Sequence, residues 1–398
     1  MSLMRRKLLL WICCMVLGNG IAFLTVQISR STSAFSRHNQ RVPVVPKKPF
    51  WLTSSMPTAY WNREQWRLDR FYNPVFANHS FLGGNYTAPD VAACQINVRA
   101  ETEITEFHKL PSHFRDFVLY QNCRHFPQVL DAPGKCSTEP DGPFLLFAIK
   151  SSMGHFDRRQ AIRESWGQEG VQRNHSVRLV FLLGRTKPED HQPDLQELLE
   201  LESHRHGDLL QWDFRDTFFN LTLKELLFLD WLESHCPHVR FLFKGDDDVF
   251  VNTNLALAYL ANLTASQAQN LFIGDVILKA GPVRDTRVKY YIPPAVFDGG
   301  YPPYAGGGGY IYSGALAQRI RQAARHVFLF PIDDVFMGMC LAHLGLSPTK
   351  HSGFRTFDIK EKDRRKVCAY RNIILVHSRQ PGEVIGLWRA LQNPMLKC

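Results

Sequence analysis

The chain has 398 residues, of which 45% are hydrophobic and 21% are charged. This composition is typical of a folded protein with a large apolar core, and it excludes a wholly disordered chain. The formal net charge is +10, but Lys and Arg are spread along the chain and no nucleic-acid-binding motif occurs. We therefore exclude nucleic acid as a partner and expect a basic surface that suits anionic ligands or acidic membranes.

The N-terminal part of the chain has the pattern of a membrane anchor. Three basic residues lie within residues 1–7, and residues 8–28 contain no charged side chain. About 20 apolar residues cross a bilayer, and basic flanks stay on the cytosolic side. The pattern predicts a cytosolic tail at 1–7, a transmembrane signal-anchor at 8–28 and a lumenal remainder. A cleaved signal peptide is the alternative, but the run exceeds a usual signal core and has no small-x-small cleavage site.

Two further features are typical of a lumenal protein. Seven of the nine cysteines lie beyond residue 28, with no Cys-x-x-Cys pair. We therefore expect disulfides rather than a zinc site, with at least one thiol left free or paired between chains. Five Asn-x-Ser/Thr sequons predict N-glycosylation. The sequon asparagines are Asn78, Asn85, Asn174, Asn220 and Asn262.

The lumenal remainder divides by composition into three parts. Residues 29–48 are mainly Ser, Arg, Pro and Lys, which predicts a flexible stem. For residues 49–142 we predict an irregular region that packs on the domain formed by residues 143–398. Residues 143–398 alternate short apolar runs with helical periodicity, which predicts an α/β domain with a mostly parallel sheet flanked by helices. The predicted strands are 143–150, 177–184, 208–214, 239–244 and 271–276, and the predicted helices are 158–166, 194–205, 223–235 and 254–263.

Three consecutive carboxylates, Asp246, Asp247 and Asp248, follow the predicted strand 239–244. The carboxyl ends of strands in an open α/β sheet form the ligand-binding edge. Adjacent carboxylates repel one another unless a cation or solvent offsets their charge, and oxygen ligands suit Mn²⁺, Mg²⁺ or Ca²⁺. The motif predicts a divalent-metal site, although an acidic solvated turn could have the same sequence.

A second acidic pair, Asp333 and Asp334, precedes a helical pattern at 335–344. Partial burial would raise the pKa of such a carboxyl toward the value that suits a general base. The alternative is a helix N-cap, because Asp accepts backbone N–H bonds at a helix start. One member of the pair could cap the helix while the other acts as the base.

The segment 301–314 contains four consecutive glycines between aromatic residues. We predict a loop whose backbone approaches a ligand closely, as at Gly307 and Gly308, while the aromatic rings stack on a sugar. A flexible linker is the alternative. His377 follows a strand-like run at 372–376, and it could be either structural or a metal ligand.

Eight motifs occur in order between residues 158 and 378. They are RRQAIRESWG (158–167), FLLG (181–184), DTFFNLTLKE (216–225), FKGDDDVFVN (243–252), IGDV (273–276), YPPYAGGGGY (301–310), PIDDVFMGMC (331–340) and LVHS (375–378). Together they resemble the β1,3-glycosyltransferase superfamily, glycosyltransferase family 31, which includes galactosyltransferases, fringe enzymes and β1,3-N-acetylglucosaminyltransferases. The anchor and the segment YWNREQ (60–65) resemble the subgroup that extends poly-N-acetyllactosamine.

The resemblance implies a GT-A fold for residues 143–398 in a type II protein of the Golgi membrane. It implies inverting transfer of N-acetylglucosamine (GlcNAc) from UDP-GlcNAc to the 3-hydroxyl of a terminal galactose on glycoproteins or glycolipids. By motif position, Asp246 to Asp248 would bind the nucleotide sugar, and Asp248 and His377 would hold Mn²⁺ or, in its place, Mg²⁺. Asp334 would be the base, and Asp333 would tune it.

Three more residues, Arg158, Arg163 and Asp275, are candidates for donor contacts, although the two arginines could equally form a solvated helix face. The galactosyltransferases have Glu-Asp where this chain has Asp333-Asp334, which favours UDP-GlcNAc as donor. The alternatives are a β1,3-galactosyltransferase that uses UDP-galactose and a catalytically silent, glycan-binding Golgi protein. The odd number of cysteines is compatible with a homo-oligomer of this chain or with a hetero-oligomer that contains other glycosyltransferases.

Overall fold

The structure is a computed structural model that describes residues 58–72, 94–137 and 141–398. The predicted tail, membrane span and stem, 1–48, lie outside these residues, and they stay predictions. Within the described ranges, no helix combines the length and the apolar character that a membrane crossing requires.

Strands and helices alternate along most of the described chain. The strands are β1 (Gln128–Leu130), β2 (Leu145–Lys150), β3 (Gly170–Gln172), β4 (His175–Arg185), β5 (Leu209–Arg215), β6 (Phe241–Asp246), β7 (Phe250–Val251), β8 (Phe272–Ile277), β9 (Tyr304–Ser313), β10 (Thr349–Lys350), β11 (Phe354–Arg355) and β12 (Leu375–Val376). The helices are α1 (Tyr60–Tyr72), α2 (Val98–Glu103), α3 (Ser112–Leu119), α4 (Phe156–Arg163), α5 (Gln196–His206), α6 (Leu221–His235), α7 (Thr253–Ala261), α8 (Ala265–Gln269), α9 (Gly314–Ala324), α10 (Asp333–His343) and α11 (Pro381–Gln392). Each of the five predicted strands and four predicted helices from residue 143 onward overlaps an observed element of the same type.

The central sheet is mixed rather than mostly parallel. Its strand order is β1-β5-β4-β2-β6-β9-β8-β10, and β3 pairs with β4. Strands β5, β4, β2 and β6 are mutually parallel, as predicted. Strand β9 runs antiparallel to both β6 and β8, so the prediction of a mostly parallel sheet is wrong for that half. A separate three-stranded sheet has the order β11-β12-β7.

The two faces of the central sheet pack against two separate hydrophobic clusters. Side chains of a strand alternate between faces, and β2 follows this rule. Leu146 and Ala148 face one cluster, whereas Phe147 and Ile149 face the other. All six residues of β2 are buried, because helices cover both faces. Covering both faces leaves the carboxyl ends of β2 and β6 as an edge where polar residues can lie.

The segment 301–314 is largely a strand, so the prediction of a loop is wrong. Glycine fits this strand because neighbouring side chains lie directly against its backbone. A Cβ at Gly306 would lie 2.5 Å from Cγ2 of Thr356, and one at Gly309 would lie 2.5 Å from Cδ1 of Leu375. The four glycines therefore allow β9 to pass closely beneath the small sheet.

The region before residue 143, for which the sequence predicts irregular structure, contains three helices in its described parts. Helix α1 is anchored by backbone bonds, from Tyr60 N to Ala295 O at 2.9 Å and from Trp61 N to Val296 O at 2.7 Å. The indole of Trp61 is fully buried and donates to Phe328 O at 3.0 Å. These contacts hold α1 against the part of the chain that follows β8.

Three disulfides form among the seven described cysteines. They join Cys94 to Cys123, Cys136 to Cys236 and Cys368 to Cys398. Cys340 is the free thiol that the odd number requires, and it is fully buried in α10. A thiol in that position cannot reach a second chain without local unfolding.

Candidate active site

A pocket of about 640 Å³ opens at the carboxyl edge of the parallel strands. Its lining includes Lys150 from the end of β2, Asp246 from the end of β6, Gly307 from β9 and Asp334 from the start of α10. Lys150 and Asp246 are paired in register between neighbouring strands. Because parallel strands end at the same edge, the fold brings together residues that are far apart in sequence.

The triple Asp separates into two groups with different surroundings. The side chains of Asp246 and Asp248 are 31% and 29% exposed, whereas that of Asp247 is 5% exposed. Asp246 and Asp248 meet His377, whose Nε2 lies 3.1 Å from Asp248 Oδ1 and 3.7 Å from Asp246 Oδ2. One ligand atom from each of these three residues fits within 4.8 Å of the others.

The pairing of β12 with β7 in the three-stranded sheet places His377 beside Asp248. Strand β12 runs antiparallel to β7, with Val376 opposite Phe250, so His377 continues the strand toward the turn that carries Asp248. Its Nδ1 contacts Thr356 O at 3.1 Å. Because a carbonyl oxygen only accepts hydrogen bonds, Nδ1 carries the proton and Nε2 is the atom that faces the two carboxylates.

The three residues fit a divalent cation. Two carboxylates and one imidazole form a donor set that suits Mn²⁺, and the carbonyl contact at Nδ1 is the support that a metal-binding histidine usually has. Asp248 Oδ1 is buried, and its 3.1 Å contact with His377 Nε2 does not have the geometry of a hydrogen bond. A buried carboxylate oxygen without a donor is costly, and a cation would satisfy it.

Two glycines of β9 give the functional side chains room. A Cβ at Gly307 would lie 3.4 Å from Asp334 Oδ2, and one at Gly308 would lie 3.2 Å from Cγ of His377. Both glycines line the pocket. The sequence prediction of a close backbone approach applies here to the protein's own acidic and imidazole groups.

The acidic pair at the start of α10 divides between two environments. Lys150 Nζ donates to Asp333 Oδ2 at 2.6 Å and lies 3.0 Å from Asp246 Oδ1. Although burial opposes ionisation, this ammonium group lowers the pKa of Asp333. Helix α10 begins at Asp333 and its N-cap position is Ile332, so neither member of the pair is the N-cap.

Asp334 has the perturbed acidity that a base at neutral pH needs. Burial, followed by repulsion from the ionised Asp333, raises the pKa of Asp334 to about 7. Its Oδ1 accepts from Val335 N at 2.9 Å, and Oδ2 faces Gly307 in the pocket. Asp334 can therefore accept a proton from a bound hydroxyl near physiological pH.

The raised pKa of Asp334 predicts an acid limb in the pH profile. Below about pH 7 the carboxyl is protonated and cannot act as a base, so kcat/KM for the acceptor should fall roughly tenfold per pH unit. Above that pH the carboxylate is ionised and the profile should be flat. Initial rates between pH 5 and 8 test this, and an acid limb centred near pH 4 would contradict it.

The predicted donor contacts do not all reach the pocket. Arg158 lines it, and its NH1 bonds Asp247 at 2.9 Å. Arg163 lies elsewhere: its Nε and NH2 bond the two oxygens of Asp208 at 2.7 and 2.8 Å. The structure therefore gives Arg163 a structural ion pair with Asp208, in the connection between α5 and β5, rather than a ligand contact.

Asp275 is also set back from the pocket. It accepts from Thr356 N at 3.2 Å and pairs with Lys350 at 3.3 Å. Thr356 lines the pocket, whereas Asp275 does not. The contact that Asp275 makes is with the wall of the site.

The sequons differ in accessibility. Asn174 and Asn262 are exposed, whereas Asn220 is half-buried and donates to Arg215 O at 2.8 Å. Asn78 and Asn85 lie outside the described residues.

The pocket residues that were not predicted from the sequence include Lys150, Ser151 and His155. Lys150 ends an otherwise apolar strand, LLFAIK, and a charged residue at that position could have indicated the site. Ser151 and His155 lie between β2 and α4, and nothing in the local pattern separates them from ordinary turn residues.

Comparison with known proteins agrees with the motifs. Residues 157–352 match the family model described as Galactosyltransferase. The chain belongs to this glycosyltransferase family, which confirms the resemblance. It is 50% identical to N-acetyllactosaminide beta-1,3-N-acetylglucosaminyltransferase 2 of Mus musculus and 49% identical to that of Homo sapiens, over 100% of each chain. It is 45% identical to the human acetylgalactosaminyl-O-glycosyl-glycoprotein beta-1,3-N-acetylglucosaminyltransferase, over 78% of this chain and 80% of the relative.

Proposed function

We propose that this chain is an inverting β1,3-N-acetylglucosaminyltransferase. It transfers GlcNAc from UDP-GlcNAc to the 3-hydroxyl of a terminal galactose and so extends poly-N-acetyllactosamine chains. The observation that carries the proposal is that one pocket contains both the triad of Asp246, Asp248 and His377 and the carboxyl of Asp334, whose pKa is raised. The names of the full-length relatives support the same donor and linkage.

The residues divide the chemistry between them. As the acceptor oxygen attacks the anomeric carbon, Asp334 takes the hydroxyl proton, and the bond from that carbon to the diphosphate breaks. One displacement from the opposite face converts an α-linked donor into a β-linked product, so no covalent intermediate with the enzyme is needed. Asp246, Asp248 and His377 would hold Mn²⁺ or Mg²⁺. When bound, the ion supplies positive charge that stabilises the departing UDP.

A GT-A arrangement and a Golgi location complete the proposal. Residues 143–398 form the catalytic domain, and the predicted span 8–28 anchors it in the Golgi membrane with the domain in the lumen. The three disulfides support an oxidising compartment. The exposed sequons Asn174 and Asn262 would carry glycans there.

The second candidate function is β1,3-galactosyl transfer from UDP-galactose. This function is favoured by the family model that the chain matches, because that model is described as Galactosyltransferase. The Asp333-Asp334 pair and the names of the full-length relatives favour UDP-GlcNAc instead. A silent glycan-binding protein is less compatible with the site, because none of its acidic positions is missing.

UDP release by the lumenal part tests these alternatives directly. The purified chain from Ser29 onward is given either UDP-GlcNAc or UDP-galactose, with N-acetyllactosamine as acceptor and with Mn²⁺ or EDTA. We expect acceptor-dependent release only with UDP-GlcNAc, and loss of that release in EDTA. Release only with UDP-galactose would establish the second candidate, and no release with either donor would favour the silent binder.

The metal triad has a matched test in His377→Ala. This substitution removes the imidazole that faces Asp246 and Asp248, so it should raise the Mn²⁺ concentration required for half-maximal activity by about tenfold or more. His351→Ala is the control, because His351 is also half-buried but lies outside the pocket lining. Equal Mn²⁺ requirements in both variants would contradict the role of His377.

A further inference from the structure

Asp247 differs from its neighbours in the direction of its carboxylate. Asp246 and Asp248 face His377, whereas Asp247 is nearly buried and is not part of the metal triad. The three carboxylates of the motif therefore have different surroundings. The middle carboxylate has partners of its own.

Three donors from the β2-α4 connection and the first turn of α4 surround Asp247. Ser151 Oγ donates to Oδ2 at 2.7 Å, and His155 Nδ1 lies 2.8 Å from the same oxygen. Arg158 NH1 donates to Oδ1 at 2.9 Å. Both oxygens are engaged, so the turn after β6 is tied to the first turn of α4 through this one side chain.

The tether fixes two side chains that face the pocket. Arg158 and His155 are 26% and 39% exposed, and both line the pocket. Arg158 NH1 also lies 3.8 Å from Asp248 Oδ2, so the guanidinium is beside the metal triad. The His155 contact requires a proton on Nδ1, because an ionised carboxylate only accepts, and the ring is thereby held in one orientation.

From this geometry we infer that Asp247 is a positioning residue that holds Arg158 and His155 in place to bind the diphosphate of the donor. A guanidinium is suited to phosphate because its planar N–H groups match two phosphate oxygens, but an unrestrained arginine loses side-chain freedom on binding. Fixing Arg158 in advance removes that cost. The inference rests on the proposed function, since it assumes a nucleotide diphosphate next to the triad.

The sign of the effect separates positioning from simple charge. Asp247 is negative and close to an anionic ligand, so removing its charge should strengthen UDP binding if nothing moved. Removing the tether should weaken UDP binding, because Arg158 and His155 lose their fixed positions. The two explanations therefore predict opposite changes for the isosteric variant Asp247→Asn.

The test is UDP binding to the lumenal chain by calorimetry with Mn²⁺ present, so that no turnover is needed. We expect Asp247→Asn and Arg158→Ala each to weaken UDP binding about tenfold or more. The two losses should be less than additive in the double variant, because part of the effect of the carboxylate acts through the arginine. Mn²⁺ binding without nucleotide, followed by electron paramagnetic resonance, should not be weakened in Asp247→Asn.

Asp208→Asn is the matched control for damage to the fold. Asp208 is also buried and also pairs with an arginine of α4, Arg163, but it lies outside the pocket lining. The Asp208→Asn variant should lose thermal stability and keep wild-type UDP affinity. Unchanged or stronger UDP binding in Asp247→Asn, or additive losses in the double variant, would overturn the inference. Absence of UDP binding by the wild-type chain would instead overturn the proposed function.

Discussion

Asp334→Asn should lower kcat for GlcNAc transfer by about a thousandfold, because a positioned general base contributes roughly 10²–10⁴ to the rate. Asparagine has nearly the same shape but cannot take the proton of the acceptor hydroxyl. UDP binding should remain close to wild type, since Asp334 is not part of the metal triad. Initial rates and calorimetry with UDP, on the same preparation, separate loss of chemistry from loss of folding.

The neighbouring carboxylate provides the control. Asp333→Asn keeps an oxygen that can accept from Lys150, and it removes the negative charge that helps to raise the pKa of Asp334. Transfer should persist, and the acid limb of its pH profile should move to lower pH, because loss of a like charge favours ionisation. If Asp333→Asn abolished transfer and Asp334→Asn did not, the two roles would have to be exchanged.

The sequence predicts the strand and helix order well because that order depends on local patterns. Buried parallel strands have continuous apolar runs such as LLFAIK, and helices between them have apolar residues at helical spacing. The position of the acidic residues after β6 and before α10 is also local information. Their meeting at one edge follows from the parallel arrangement of β2 and β6.

The sequence predictions failed where contacts between distant parts of the chain decide the local structure. Four glycines weaken a strand, yet 304–313 is extended because it pairs with β6 on one side and β8 on the other. The different roles of Asp246 and Asp247 likewise cannot be derived from the neighbouring residues in the sequence. Asp247 points away from the triad because Ser151 and Arg158, about 90 residues earlier, supply its donors.

Loss of the buried ion pairs of Lys150 is expected to have the largest effect on stability. The Lys150 side chain is 5% exposed and lies between Asp333 and Asp246, at 2.6 and 3.0 Å. Removing one partner from a buried ion pair typically costs about 3–5 kcal/mol, because the remaining charge stays unpaired. Lys150→Met should therefore lower the free energy of unfolding by about this amount at pH 8, measured by urea denaturation of the lumenal chain with its disulfides intact.

The stability deficit of Lys150→Met should depend on pH in a defined direction. In the wild type, Lys150 keeps the pKa of Asp333 low, so this pair contributes stability above the unfolded pKa of Asp, which is lost as pH falls. Without Lys150, burial raises the pKa of Asp333, and protonation then relieves the unpaired charge as pH falls. The difference in unfolding free energy between wild type and variant should consequently shrink from pH 8 to pH 5.

A second substitution distinguishes unpaired charge from lost packing. In Lys150→Met with Asp333→Asn, the ion pair is replaced by two neutral side chains, so much of the lost stability should return. Lys244→Met is the matched control, because Lys244 is equally buried and pairs with Glu225 outside the pocket lining. It should destabilise the fold while leaving UDP affinity unchanged. If the double variant were no more stable than Lys150→Met alone, lost packing of the lysine stem would be the larger contribution, and Lys150 would stabilise the site chiefly by filling space rather than by holding Asp333 ionised beside Asp334.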